Sequence, residues 1–382
     1  MTPHEPIATC IRKLRPSAKF VKISHSREFL DSEDKLGDGF FTAVLYDEQI
    51  DSNMLTTKNG TVIIENSYIS SFAYNLFLCW LNHHRSSAPV HTLDSLLAHN
   101  FKKFLAEQIY RQRNCIFSRT LLLETLLFEQ HIMVDLFAAR DRDARLAADS
   151  EAAANLMFNA LSIHELGHYL MATMPDTWSQ ILRREPEILG AMYERITVEY
   201  GPAMPGEFQC DAFAVLSCLQ EYGDHVGSKF ALRALVFAFA AYAAMYSARA
   251  TAENLVPLLD AELPDKVEFS DISPMPHLDI RPNWAVDAGF VARARLVGEL
   301  CQSIASRRGE TLFGDEDPFP LPRTIVNDLI DYVPRGFDCV NGNARKMSHL
   351  VARALHGHTA GMEYIYLRSK TFRSERTEPL TL

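Results

Sequence analysis

The chain has 382 residues, 47% of them apolar and 23% charged, with a formal net charge of −10. That length supports a full hydrophobic core without disulfide staples, and the acidic balance speaks against nucleic acid as the main partner, because phosphate binding needs a basic surface. The seven cysteines are odd in number, scattered and free of any C-x-x-C pair, the usage of a reduced, cytoplasmic protein.

Residues 1–35 are polar and weakly periodic, with no apolar stretch of signal-peptide length. Phe40 to Tyr46 (FFTAVLY) is rich in aromatic and β-branched residues and predicts a strand. Lys58-Asn59-Gly60 carries a turn signal, and Thr61 to Glu65 (TVIIE) predicts a second strand. A small N-terminal antiparallel sheet is expected. From Ser67 the chain turns apolar and helical in period, starting with SYISSFAYNLFLCWLNHH. Further helices are predicted over about 92–112, 118–140 and 144–173, with Pro175 stopping the last. Others follow over about 185–200, 206–222 and 228–253, then a loop over about 256–284 and a helix over about 285–307. The PFPLP segment reads as a linker, residues 324–370 as two more helices, and the last dozen residues as disordered. The expected fold is α+β and mainly α, with one domain over 1–310 and a helical extension over 311–382.

The longest apolar run, Ala234 to Ala248, lies between Arg233 and Arg249. As a helix it would span about 22 Å, short of the roughly 30 Å hydrocarbon core, so a buried helix is expected and no membrane span. No phosphate-binding G-x-x-x-x-G-K-[ST] or G-x-G-x-x-G loop occurs, and no G-x-S-x-G nucleophile elbow. His83-His84-Arg85 ends an apolar helix, where cationic residues suit the helix dipole. His356-Gly357-His358 reads as a turn.

The segment NLMFNALSIHELGHYLMATMP carries the chemistry. His164 and His168 are four apart, so both imidazoles lie on one helix face and can reach one zinc ion at about 2.0–2.1 Å. Glu165 points to the side of that site, where it can take a proton from the water that the metal activates. This is the H-E-x-x-H arrangement of metalloproteases. Its flanks are too apolar for two histidines on a solvated helix face.

A catalytic zinc needs a third protein ligand and an open position. Downstream, GEFQCDAFAVLSCLQ sets Glu207 and Asp211 four apart on a predicted helix. Glu207 is the candidate third ligand, and Asp211 can accept from the ring N–H of a ligand histidine and fix its tautomer. Glu194, Glu199 and His225 compete for the third position. Acidic residues in a first helical turn are also favoured by the dipole alone.

HELGH followed by E-x-x-x-D resembles the gluzincin metallopeptidases, whose zinc is held by two histidines and a downstream glutamate. EFQCDAFAV is similar to the E-x-x-A-D-x-F-A segment of the soluble relatives of the CAAX-prenyl-protease-like branch, with Cys210 where that branch usually has alanine. Asn53 to Ile69 (NMLTTKNGTVIIENSYI) resembles the strand those enzymes run beside the cleft, which binds substrate backbone as an added β-strand. The resemblance implies a zincin-like helical domain, one Zn²⁺ ion, and a peptide or protein substrate. It also implies a histidine and an arginine after the third ligand to stabilise the transition state. MPHLDIRPNWAVDAGFVARARL offers His277, Arg281, Arg293 and Arg295, of which His277 and Arg295 are taken as the candidates. Tyr200 and His225 are weaker ones.

The expected activity is therefore zinc-dependent hydrolysis of peptide bonds. The alternatives are a helical binding or regulatory protein with a structural zinc, and a metal hydrolase acting on another bond. Structural zinc sites are usually closed by four ligands, often cysteines, and no cysteine pairing is visible here.

Overall fold

The computed structural model describes residues 5–15, 19–25, 40–46, 53–57, 60–85, 93–112, 122, 138–174, 176, 186–201, 204–262 and 284–312. His277, Arg281 and most of the helix expected over 118–140 lie outside them, as do the PFPLP linker, His356-Gly357-His358 and nearly all of the C-terminal extension.

The chain begins with α1 (Glu5–Leu14), a helix the polar opening did not predict. Four strands follow: β1 (Lys19–His25), β2 (Phe40–Tyr46), β3 (Asn53–Thr57) and β4 (Gly60–Asn66). Among the described residues seven further helices follow: α2 (Ser67–Arg85), α3 (Leu93–Gln112), α4 (Ala144–Thr173), α5 (Pro186–Tyr200), α6 (Met204–Val226), α7 (Ser228–Glu262) and α8 (Trp284–Arg307). The fold is thus mainly α with a small N-terminal sheet, as the patterning predicts.

The sheet itself is mixed, in the order β1-β2-β4-β3, and this corrects the expected antiparallel one. β2 pairs β4 in parallel, Phe40 opposite Thr61 through Leu45 opposite Asn66. The reason is β3, which occupies the segment between them and returns into β4 as an antiparallel hairpin. The turn falls at the predicted Lys58-Asn59-Gly60, with Gly60 at φ 134°, a conformation that L side chains rarely adopt. Thr57 Oγ1 donates to the Gly60 carbonyl at 3.0 Å. β3 is left as an edge strand.

Along β4 the side chains alternate. Val62 and Ile64 pack with Ile7, Ile11 and Phe41 under α1. Ile63 joins the main core with the helices, and Glu65 points to the same side. That core is built around α7, whose Ala234–Met245 stretch is wholly buried. Phe237 stacks on Trp80 with centroids 4.5 Å apart and planes 9° apart. Among the described residues Ser228–Tyr246 is long and apolar enough to cross a membrane, and most of it is covered by the surrounding helices. α7 runs on to Glu262, past the loop expected from 256. Pro257 removes one N–H donor without ending the helix.

α4 is the central element for function. Asp143 caps it, accepting from the N–H groups of Arg145 and Leu146 at 3.0 and 3.1 Å. It ends at Thr173, just before Pro175, as the sequence predicts. Its buried face runs from Leu146 to Leu170 and packs on α2, α6 and α7. Phe40 of β2 meets Tyr169 of α4 with ring centroids 5.1 Å apart, which fixes the sheet beside the helix.

Candidate metal centre

His164 and His168 lie one turn apart on α4, and Glu207 opens α6 in its first turn. The two helices come close because Gly167 carries no side chain. A Cβ there would sit 3.2 Å from the Cα, Cβ and Sγ of Cys210. This close approach brings three donor atoms to one point. His164 Nε2 is 3.2 Å from His168 Nε2, and the Glu207 oxygens lie 3.5 and 3.6 Å from the two nitrogens.

Those three separations have a simple meaning. A tetrahedral ion with bonds of about 2.1 Å has ligand atoms about 3.4 Å apart. Each separation is therefore close to one edge of a zinc tetrahedron, with Glu207 approaching His164 through Oε2 and His168 through Oε1. The same three residues form a group whose donor atoms can hold one metal ion. All three residues line the same cleft.

Both imidazoles are oriented from behind. His164 Nδ1 is 2.8 Å from Asp211 Oδ1, and Asp211 is fully buried one turn after Glu207. His168 Nδ1 is 3.5 Å from Cys210 Sγ. With both Nδ1 atoms engaged, both Nε2 atoms face the donor cluster. The structure thus brings Asp211 to the His164 ring, the contact expected of it. Cys210 makes the equivalent contact for the other ring.

Arg293 of α8 ties the acids together. Its guanidinium bonds Asp211 bidentately, Nε to Oδ2 at 2.8 Å and Nη2 to Oδ1 at 2.7 Å. Its Nη1 lies 3.1 Å from Glu207 Oε2. Nη2 is 3.3 Å from both nitrogens of His164, so the guanidinium lies against the imidazole. The sequence singled out Arg295, and α8 turns that residue to the exposed surface. Two residues along a helix rotate a side chain by about 200°. Arg293 shares its face with Phe290, three residues earlier, and its Cζ sits 5.4 Å above the Phe290 ring. That i, i+3 relation to an apolar residue was the available signal.

The competing ligands lie elsewhere. Glu194 and Glu199 are exposed on α5, and His225 is exposed at the end of α6. The Tyr200 side chain lies outside the described residues.

The charges follow from the surroundings. Burial alone would push the Asp211 carboxyl up, but Arg293 and His164 outweigh it and hold it far below the usual carboxylate range. Burial pulls the His164 imidazolium down, yet the charge and hydrogen bond of Asp211, with Glu207, raise it to about 9. The site therefore attracts a cation where the ring nitrogens converge. With neutral histidines, Asp211, Glu207 and Glu165 oppose the guanidinium of Arg293, a charge that a divalent ion would balance.

Glu165 is half-buried, and burial and the Glu207 charge raise its carboxyl above the ordinary value. A backbone hydrogen bond from Met54 of β3 reaches it. β3 therefore lies beside the motif. No sequence pattern reports such a backbone donor.

The cleft in front of the donors has a volume of about 230 Å³. His164, Glu165, His168, Glu207 and Arg293 form its polar end. Leu161, Phe239, Ala243, Tyr246 and Phe290 line the rest, with Tyr242.

Comparison of the chain with protein-family models, with curated proteins and with solved structures finds no match, so its function is argued from this site alone.

Proposed function

We propose that the protein is a zinc-dependent peptidase. The observation that carries this reading is the cluster of His164, His168 and Glu207 beside a carboxylate at Glu165: the two Nε2 atoms are 3.2 Å apart, Glu207 Oε2 lies 3.5 Å from the first and Oε1 3.6 Å from the second. Zinc bound there supplies a Lewis acid that activates water and polarises the scissile carbonyl. Three protein donors on one side and a cleft on the other suit a catalytic zinc better than a closed structural one.

Each residue then has one task. Asp211 and Cys210 hold the imidazoles so that Nε2 faces the ion. Glu165 takes the proton from the attacking water and passes it to the leaving amine. Its raised pKa brings it closer to the working range of a general base. The Met54 N–H keeps that carboxylate aimed into the cleft. Arg293 is a positioning residue that keeps Asp211 and Glu207 ionised and in register.

A peptide substrate is favoured over other hydrolysable bonds by β3. It is an edge strand, and among the described residues no strand pairs with its outer side. An extended peptide can add there as a further strand and bring its backbone past Glu165. The test is hydrolysis of a quenched-fluorescent peptide library by the zinc-loaded chain beside Glu165→Gln. The reading expects cleavage by the wild type and loss of at least about 100-fold in the variant, with zinc retained. Equal activity in the two would refute it.

A further inference from the structure

The cleft extends beyond the metal donors into an aromatic recess that the proposed chemistry does not use. Tyr246 of α7 and Phe290 of α8 stack with centroids 3.9 Å apart and planes 8° apart. Phe239 and Ala243 lie on α7 with Tyr246, and Leu161 lies on α4 one turn before Glu165. All five line the same cavity as the donors. We infer that this recess is the specificity pocket: it takes the aromatic or large aliphatic side chain of the residue beside the scissile bond. The inference rests on the peptidase reading and adds the substrate class.

Three observations favour that occupant. The first is size. An apolar cavity of about 150 Å³ holds one benzene ring. The whole cleft is about 230 Å³, enough for one ring beside the reacting groups and too small for a long lipid chain. The second is charge. Among the described residues, the guanidinium lining the cleft, Arg293, is engaged by Asp211 and Glu207, and the carboxylates lie at the donor end. An acidic or basic side chain entering the recess would lose its hydration without gaining a partner. The third is rigidity. Phe239 and Ala243 are buried in the core helix, and the ring stack fixes Tyr246 against Phe290, so the pocket exists before substrate arrives.

The test uses the zinc-loaded full chain and three hydroxamate probes that differ only in one side group: benzyl, methyl and carboxymethyl. Titration calorimetry reads each affinity, and metal analysis reads zinc content. The benzyl probe is expected to bind about 10- to 100-fold tighter than the methyl probe, and the carboxymethyl probe no tighter than methyl. Ala243→Phe fills the recess and should reduce the benzyl preference to within about 3-fold at unchanged zinc content. Phe239→Ala, which removes one ring of the recess, should lower the benzyl preference about 3- to 10-fold at unchanged zinc content, and it serves if the filled variant does not fold. Benzyl and methyl probes binding the zinc-loaded wild type equally would overturn the pocket and leave the metal site standing. A wild type that takes up no zinc, or binds none of the three, would overturn the peptidase reading and the pocket with it.

Discussion

Asp211 and Arg293 form a bidentate ion pair, with N–O separations of 2.8 and 2.7 Å, against the imidazole of His164. Asp211 is fully buried on α6, while Arg293 comes from α8, more than eighty residues later. The pair therefore joins the helix that carries Glu207 to α8 beside the candidate metal donors.

Removing one partner of this pair is expected to cost more than removing a surface ion pair. Arg293→Met leaves Asp211 buried beside His164 without its counter-charge, a loss of roughly 3–5 kcal/mol for a buried pair. Asp211→Asn keeps the shape but accepts less strongly from His164 Nδ1, and zinc affinity should fall about 10- to 100-fold. Urea unfolding reads the first effect and chelator competition the second. An Asp211→Asn protein with wild-type zinc affinity would show that Asp211 does not orient the ligand.

Gly167 makes a separate, steric prediction. The contact of 3.2 Å between an added Cβ and three atoms of Cys210 includes backbone, so α4 and α6 must separate. Gly167→Ala should destabilise by about 1–3 kcal/mol and weaken zinc binding, because His168 and Glu207 move apart together. Cys210→Ala in the same chain should rescue only part of the loss, since the Cα remains. Full rescue by the double variant would locate the clash in the thiol alone.

Glu65 gives the pH dependence. It is buried on β4, and burial pushes its carboxyl from 4.5 up to about 7, with the Ser162 hydroxyl offsetting part of that. A raised carboxyl pKa means the folded state holds the proton more tightly than the unfolded chain. The stability this contributes is full below about pH 4.5 and lost progressively as pH rises through 7. The loss levels off at about 3 to 4 kcal/mol above pH 7. Glu65→Gln keeps the size and removes the titration. Relative to wild type it should gain about 1–3 kcal/mol between pH 5 and pH 8 by urea unfolding. A difference between the two proteins that stays constant with pH would show that Glu65 does not titrate in this range.

Much of this architecture was legible in the residues, and the rest was hidden for identifiable reasons. The limits of α4 follow from Asp143 and Pro175, and the four-residue spacings put His164 with His168, and Glu207 with Asp211, on one face of a helix each. The parallel pairing of β2 with β4 was not legible, because strand composition does not report which neighbour a strand chooses. Arg293 rather than Arg295 is a matter of helix phase, and the Phe290 spacing carried it. The contacts of Met54 N–H with Glu165 and of Cys210 with His168 arise from tertiary packing, and no pattern in one sequence reports them.

Zinc stoichiometry of the purified chain tests the central claim most directly, measured by metal analysis after dialysis for wild type, His164→Ala and Glu207→Ala. The donor cluster predicts about one zinc per wild-type chain and its loss in both variants, each of which should still fold by circular dichroism. A wild type that retains no zinc, or a Glu207→Ala protein that retains it in full at unchanged affinity, would contradict the site described.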